Sequence, residues 1–174
     1  MKTKLAIAVP LLAFVLGLAG CSQTRNNRSE VDNVRNALEQ ADLKDLHVSD
    51  DANKNTVTLT GTLHSDEAKN KAADVAKSAA PDRTIANEIS VQPVGNESEA
   101  RGVNSNLDDG IENNYKAALI SKRLNKQSIR YDAKNGVLTL KGNVKTPAQK
   151  AEAERLASNI PNVQQVVNQL EVSR

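Results

Sequence analysis

The chain has no tryptophan, a single phenylalanine (Phe14) and two tyrosines, Tyr115 and Tyr131. Its cores must therefore be small and aliphatic, built from Val, Leu, Ile and Ala. The shortage of aromatic faces also argues against binding single-stranded nucleic acid, which stacks its bases on such side chains. Cys21 is the only cysteine, so no intrachain disulfide can form. His47 and His64 are the only histidines. No HExxH, GxSxG, phosphate-loop or dinucleotide fingerprint occurs, so the chain reads as non-enzymatic, with no cofactor and no metal to hold. Asp50-Asp51 beside Asn53 lacks the spacing and closing Glu of a calcium loop and reads as a solvated turn.

Long apolar runs are confined to the start. Lys2 and Lys4 precede an almost unbroken apolar stretch from Leu5 to Leu18. Its 14 residues fall short of the roughly 20 that span a bilayer, so residues 1–20 read as a targeting signal. The stretch ends in Leu18-Ala19-Gly20-Cys21, which resembles the lipobox of bacterial lipoproteins. The resemblance implies cleavage before Cys21, acylation of its sulfur and a lipidated tether over 21–29. Two or more acyl chains hold firmly where one is marginal. Ser22 in place of Asp after the cysteine implies, by the same analogy, the outer membrane rather than the inner. Losing Lys2 and Lys4 leaves 21 basic against 21 acidic side chains, a chain near neutrality.

Sliding the sequence against itself by 81 residues exposes a repeat. Thr58-Leu59-Thr60-Gly61 falls on Thr139-Leu140-Lys141-Gly142, and Leu38, Leu43, Ala72, Ala76 and Asn87 fall on Leu119, Leu124, Ala153, Ala157 and Asn168. Apolar positions that differ stay apolar, as in Val48/Ile129, Val57/Leu138 and Ile89/Leu170. His47 and His64 meet Ser128 and Lys145, so neither histidine is a shared feature. Two copies are expected, over 30–93 and 113–174. Gln92 to Glu112 carries Pro93, Gly95, Asn96, Ser98, Gly102 and Asn104, and 94–112 reads as a flexible linker roughly 25 Å end to end.

Each copy reads as α-β-β-α-β. In the first, Ser29 is expected to cap a helix whose inner stripe is Val31, Val34, Leu38 and Ala41; in the second the stripe is Ile111, Tyr115, Ala118 and Leu119. A strand follows near Leu46 to Ser49, or Ser128 to Asp132, and Lys134-Asn135-Gly136 signals a tight hairpin. The second strand alternates through Val57, Leu59 and Leu63, or Leu138, Leu140 and Val144. Gly61 and Gly142 inside these strands predict a bulge or a close helix–sheet contact. Thr146-Pro147-x-Gln149 opens the next helix with an N-cap, an N1 proline and a capping-box partner. The last strand carries Ile85, Ile89 and Val91, or Val166, Leu170 and Val172. A helix between strands two and three makes them parallel. The expected fold class is α+β: two tandem α-β-β-α-β domains, each a three-stranded mixed sheet with two helices on one face.

The phrase Val57-Thr58-Leu59-Thr60-Gly61-Thr62-Leu63, followed by Ala-x-x-x-Ala on a helix and then Val-x-Asn-x-Leu-x-Val (Val166 to Val172), is distinctive. It resembles the BON domain (bacterial OsmY and nodulation domain), and a lipobox before two copies is similar to dual-BON outer-membrane lipoproteins. The resemblance implies a periplasmic, non-catalytic module that binds phospholipid and supports envelope integrity. The first copy departs at Ala79-Ala80-Pro81-Asp82-Arg83, where the family shows an apolar residue and then Pro-Gly-Val; Ile160-Pro161-Asn162-Val163 is closer.

Charge separates the copies. Residues 30–93 hold 7 basic and 12 acidic side chains, whereas 113–174 hold 11 and 4. The second copy is thus drawn to an anionic surface and the first repelled. The candidate lipid-binding set is Ile111, Tyr115, Lys116, Lys122, Arg123, Lys126 and Arg130. Two bland alternatives stand beside it: Ile111 and Tyr115 as core, and opposite charges that dock one copy on the other. The expected partners are the membrane, through acylated Cys21, and anionic phospholipid. A protein-interaction or chaperone-like adaptor for envelope proteins, and a passive spacer, are the competing functions.

Overall fold

The computed structural model describes residues 23–173, so the signal segment, Cys21 and Ser22 lie outside the described residues. The first unit runs α1 (Gln23–Gln40), β1 (His47–Asp51), β2 (Thr56–Leu63), α2 (Asp66–Ala79) and β3 (Thr84–Val91). The second runs α3 (Glu97–Ser121), β4 (Ser128–Lys134), β5 (Val137–Val144), α4 (Pro147–Ser158) and β6 (Gln165–Val172). Each sheet has the order first–second–third strand, the first pair antiparallel and the second parallel. This is the expected α+β class, twice.

Helices of each unit share one face of their sheet. Val34 and Leu38 of α1 and Ala72 and Ala76 of α2 are buried with Val57, Leu59 and Ile89. Ile111, Tyr115 and Leu119 of α3 and Ala153 and Ala157 of α4 are buried with Leu138, Leu140 and Leu170. Alanines on α2 and α4 let these helices lie close to the strands. The glycines in β2 and β5 mark neither a bulge nor a helix–sheet contact. Pairing runs without a gap through Gly61 to β3 and through Gly142 to β4 and β6, and what lies close is Leu46 before β1 and the Ser128 carbonyl of β4. Gly142 has φ +107°, and a Cβ there would lie 2.0 Å from the carbonyl oxygen of Ser128. Asn135 and Gly136 both take positive φ in a two-residue loop between Lys134 and Val137, the type I′ hairpin that Asn-Gly favours. Thr146 Oγ1 accepts from the Gln149 backbone N–H at 3.2 Å, with Pro147 in the first turn.

Two expectations fail. The first helix begins at Gln23, so Ser29 lies inside it rather than at its cap, and residues 23–29 of the expected tether are helical. The flexible linker over 94–112 is, from Glu97 onward, the first half of α3. Its glycines and asparagines mislead because polar anchors hold the helix down. Asp108 accepts from the backbone N–H groups of Asn135 and Gly136 at 2.8 and 3.0 Å, and Glu112 from that of Ala133 at 3.0 Å. These bonds satisfy donors that the hairpin would otherwise leave to water. The true connection is a turn over 93–96, closed by Asn96 N–H to the Pro93 carbonyl at 3.1 Å.

The two units dock through their helix-free sheet faces. Ala86 of β3 is buried against Val137 and Val167. The side-chain amide of Gln165 donates to the Ile85 carbonyl at 2.6 Å and accepts from Asn87 N–H at 3.1 Å. That is what a neighbouring strand would do at the open edge of β3. Lys54 pairs with Glu171, and Lys134 with Glu88 at 3.4 Å. Docking by the opposite net charges of the copies, one of the alternatives left open above, therefore has one bridge in its support, Lys134 with Glu88. Lys54 with Glu171 runs against those net charges.

Candidate functional site

In the second unit the end of α3, the turn after it and β4 enclose a groove of about 250 Å³ lined by Lys116, Leu119, Ile120, Leu124, Asn125, Gln127, Ile129 and Tyr131. Helical spacing explains its near wall, because Lys116 and Ile120 are four apart and share a face. Strand alternation explains its far wall, since Ile129 and Tyr131 point to the helix side while Arg130 points away. Arg123 takes φ +57° just beyond the helix and reverses the chain. Lys122 and Arg123 thereby sit at the negative end of the α3 dipole, a placement that also stabilises the helix locally.

The candidate residues separate into three groups. Ile111 and Tyr115 are core: both are buried, and the Tyr115 hydroxyl donates to the Ala153 carbonyl at 3.2 Å. Burial holds the Tyr115 phenol well above its ordinary pKa, with the neighbouring Tyr131 adding to the effect. Neither residue can touch a lipid in this fold. Lys116 is exposed and lines the groove, while Lys122, Arg123 and Lys126 are exposed on the helix end and following turn, outside the lining. Arg130 is exposed too, but on the helix-free face opposite Lys141, so it does not join them. Sequence reasoning missed Ile120, Leu124, Ile129 and Tyr131. Ile120, 53% exposed, falls outside the inner stripe yet four residues after Lys116, and that spacing was the available signal. Tyr131 meets Tyr115 edge-on at 5.1 Å between ring centroids, so its ring is fixed where it lines the groove.

The first unit has the same groove, about 290 Å³, lined by Arg35, Leu38, Glu39, Leu43, Lys44, Leu46, His47 and Val48. The 81-residue offset maps one lining onto the other, but the chemistry differs. Glu39 stands where the second unit has Ile120, and Asp50 where it has Tyr131. Arg35, the counterpart of Lys116, is engaged by Asp32 at 2.9 Å and the Val48 carbonyl at 3.2 Å. Asp50 and Glu30 close on the buried guanidinium of Arg83, which is 1% exposed. That triad replaces Gln164, Tyr131 and Ile111 of the second unit, so Asp50 serves an ion pair rather than a calcium loop. Asp51 accepts from Lys54 N–H at 3.1 Å and caps a short 3₁₀ turn. His64 Nδ1 lies 2.8 Å from the Gln92 carbonyl, a tie at the exit of β3. Among the described residues no cluster of His, Cys, Asp and Glu could hold a metal ion.

No helix among the described residues is long and apolar enough to cross a membrane. A search of the curated proteins found no match to the chain. The family model described as the BON domain matches twice, over residues 31–93 and 107–174. The second match opens inside α3, in the stretch first read as linker. BON domains are associated with phospholipid binding and with envelope and osmotic-stress roles, and the family is generally non-catalytic. The repeat, the mixed three-stranded sheets and the two family matches agree: this chain belongs to the BON domain family, as a protein with two copies of the domain.

Proposed function

We propose that the protein is a non-catalytic lipoprotein of the bacterial envelope whose second BON domain binds anionic phospholipid, supporting the integrity of the outer membrane from its periplasmic side. One observation carries this reading: an apolar groove lined by Lys116, Ile120 and Tyr131, with Lys122, Arg123 and Lys126 exposed on the helix end and the turn that follow Lys116 in the chain. None of these four cations makes an ion pair among the described residues. Each is therefore free to meet phosphate, at about 1 kcal/mol near an anionic leaflet. The first domain presents Glu39 and a committed Arg35 at the same places, which supports assigning lipid to the second. The lipobox supplies the anchor in this reading: acylated Cys21 brings the chain to the membrane, and the groove selects where it rests.

Flotation with vesicles of graded anionic lipid tests the proposal. Binding of the chain over residues 22–174, free of both the signal segment and the acylated cysteine, should rise with anionic fraction and fall with salt. Binding indifferent to both, or absent, refutes it. A protein-adaptor reading is favoured by Val94, Val103 and Leu107, exposed apolar side chains along the joint and the first half of α3. A defined envelope protein captured by crosslinking in intact cells, and lost on V103D with L107D, would support that second reading.

A further inference from the structure

Contacts between the two domains are of an unusual kind for a chain so rich in aliphatic residues. Within each domain eleven or twelve buried apolar residues form the core, whereas between domains three small ones do, Ala86, Val137 and Val167. The rest is polar. Gln165 bridges Ile85 and Asn87, Gln169 Nε2 donates to Thr56 Oγ1 at 3.0 Å, and Asn135 Nδ2 donates to the Glu88 carbonyl at 2.9 Å. Two ion pairs, Lys54 with Glu171 and Lys134 with Glu88, flank them with partly exposed side chains.

The closed joint also carries costs. Lys69 is 6% exposed, yet its ammonium meets only neutral oxygens: the Asn135 carbonyl at 3.0 Å and Gln164 Oε1 at 3.3 Å. Among the described residues it has no carboxylate within ion-pair distance. Burial lowers its pKa, with the nearby carboxylates of Asp66 and Asp108 offsetting only part of that cost. Gln169 Oε1 and Asn87 Oδ1 are buried with no hydrogen-bond partner among the described residues, and each would gain a hydrogen bond on exposure to water. Beside Lys69 lies a cavity of about 400 Å³ reaching to Asp108 and Asn162, through which water can arrive. Domains joined by a small polar interface are expected to move relative to one another. The turn at 93–96 provides the pivot: Gly95 takes φ +86° with open space around it, and across the joint Asn104 reaches Ser90 only at 3.4 Å.

We infer that the joint is a polar latch, closed by amides and charge over the open edge of β3 and able to open about the Pro93–Asn96 turn when its charges are screened or competed away. Opening hydrates Lys69, uncovers the β3 edge and frees the helix-free face of β5 and β6. An anionic surface attracts the second domain and repels the first, so it pulls the latch apart; this last point alone rests on the lipid-binding reading.

Residue-resolved hydrogen exchange on the intact protein tests it, because the Asn87 amide faces Gln165 Oε1 and reports the latch directly. In low salt Asn87 should exchange slowly. In 1 M salt, where charges are screened beyond about 3 Å, it should exchange at least about tenfold faster. In Q165A it should be fast at any salt, and in E88Q with E171Q its salt dependence should vanish. Amides of the β1–β2 and β5–β6 ladders should not change. The latch is overturned if Asn87 stays as slow in Q165A as in the unaltered protein, or quickens only together with the ladder amides. Anionic vesicles should quicken Asn87 as salt does. If only this arm fails, opening by the membrane falls and the latch stands, and flotation separately decides whether lipid is bound.

Discussion

Exchanging one residue between the two grooves separates lipid binding from fold. Ile120 stands at the lip of the second-domain groove, and its counterpart in the first domain is Glu39. In I120E the change in stability should be small, within about 0.5 kcal/mol, because the side chain is half exposed and outside the core. Membrane affinity should change much more. Full burial of an isoleucine is worth about 1.5–3 kcal/mol, and the exposed half of Ile120 accounts for about 1 kcal/mol of that on insertion. A carboxylate near an anionic leaflet costs about another 1 kcal/mol, the mirror of the gain per cation. The sum, about 2 kcal/mol, is roughly a thirtyfold loss of affinity. Flotation across a lipid titration reads the affinity, and a thermal melt on the same sample reads the fold. An I120E protein that melts normally and binds as before refutes the assignment of the groove, whatever else binds the membrane. The reciprocal E39I should leave binding by the second domain untouched.

Other predictions follow from the same geometry. K116Q, K122Q and K126Q together should flatten the salt dependence of vesicle binding, whereas R130Q, on the opposite face, should leave it nearly intact; flotation at two salt concentrations compares them. G142A should destabilise the second domain by about 3 kcal/mol or more, since its Cβ meets a backbone oxygen at positive φ. G61A should cost less in denaturant melts, because its nearest neighbour, at 3.0 Å, is the flexible end of Leu46. Tyr115 is kept neutral by burial and its pKa is raised, so its contribution is complete below about pH 10 and is lost as pH climbs from there toward the raised value. Y115F should remove that alkaline loss at a cost of about 1 kcal/mol at neutral pH. Glu171 titrates below its ordinary value because Lys54 donates to it. The contribution of that pair to docking is therefore present above about pH 4.3 and lost as pH falls through the lowered value, which exchange at Asn87 below pH 4 would show.

Both domains were legible in the sequence because their cores announce themselves by period. Val34 and Leu38, like Tyr115 and Leu119, recur four apart, and the same stripe reappears after 81 residues. The candidate cations were legible as composition, but Arg130 was grouped with Lys116 by nearness along the chain. Its alternation with Ile129 and Tyr131 places it on the other side of the sheet. The first half of α3 was illegible for a different reason. Helices are recognised by apolar stripes, and this one is held by Asp108 and Glu112 reaching the backbone of a hairpin more than twenty residues later. Docking was hidden in the same way. It depends on Gln165, Gln169 and Asn135, polar side chains that any solvated surface also carries.

The continuity of α3 has a consequence for how this protein can change over time. Its 25 residues make a rod of about 37 Å, with one end over the first domain and the other in the core of the second. Residues 97–110 have the composition in which gains and losses of a residue are usually harmless. Here a single inserted residue would turn everything upstream of it by about 100° about the rod, carrying the first domain away from Gln165 and Glu171. Relatives that keep the docked arrangement should therefore hold the length of this segment constant while its letters drift, and put their insertions in the short turn before it.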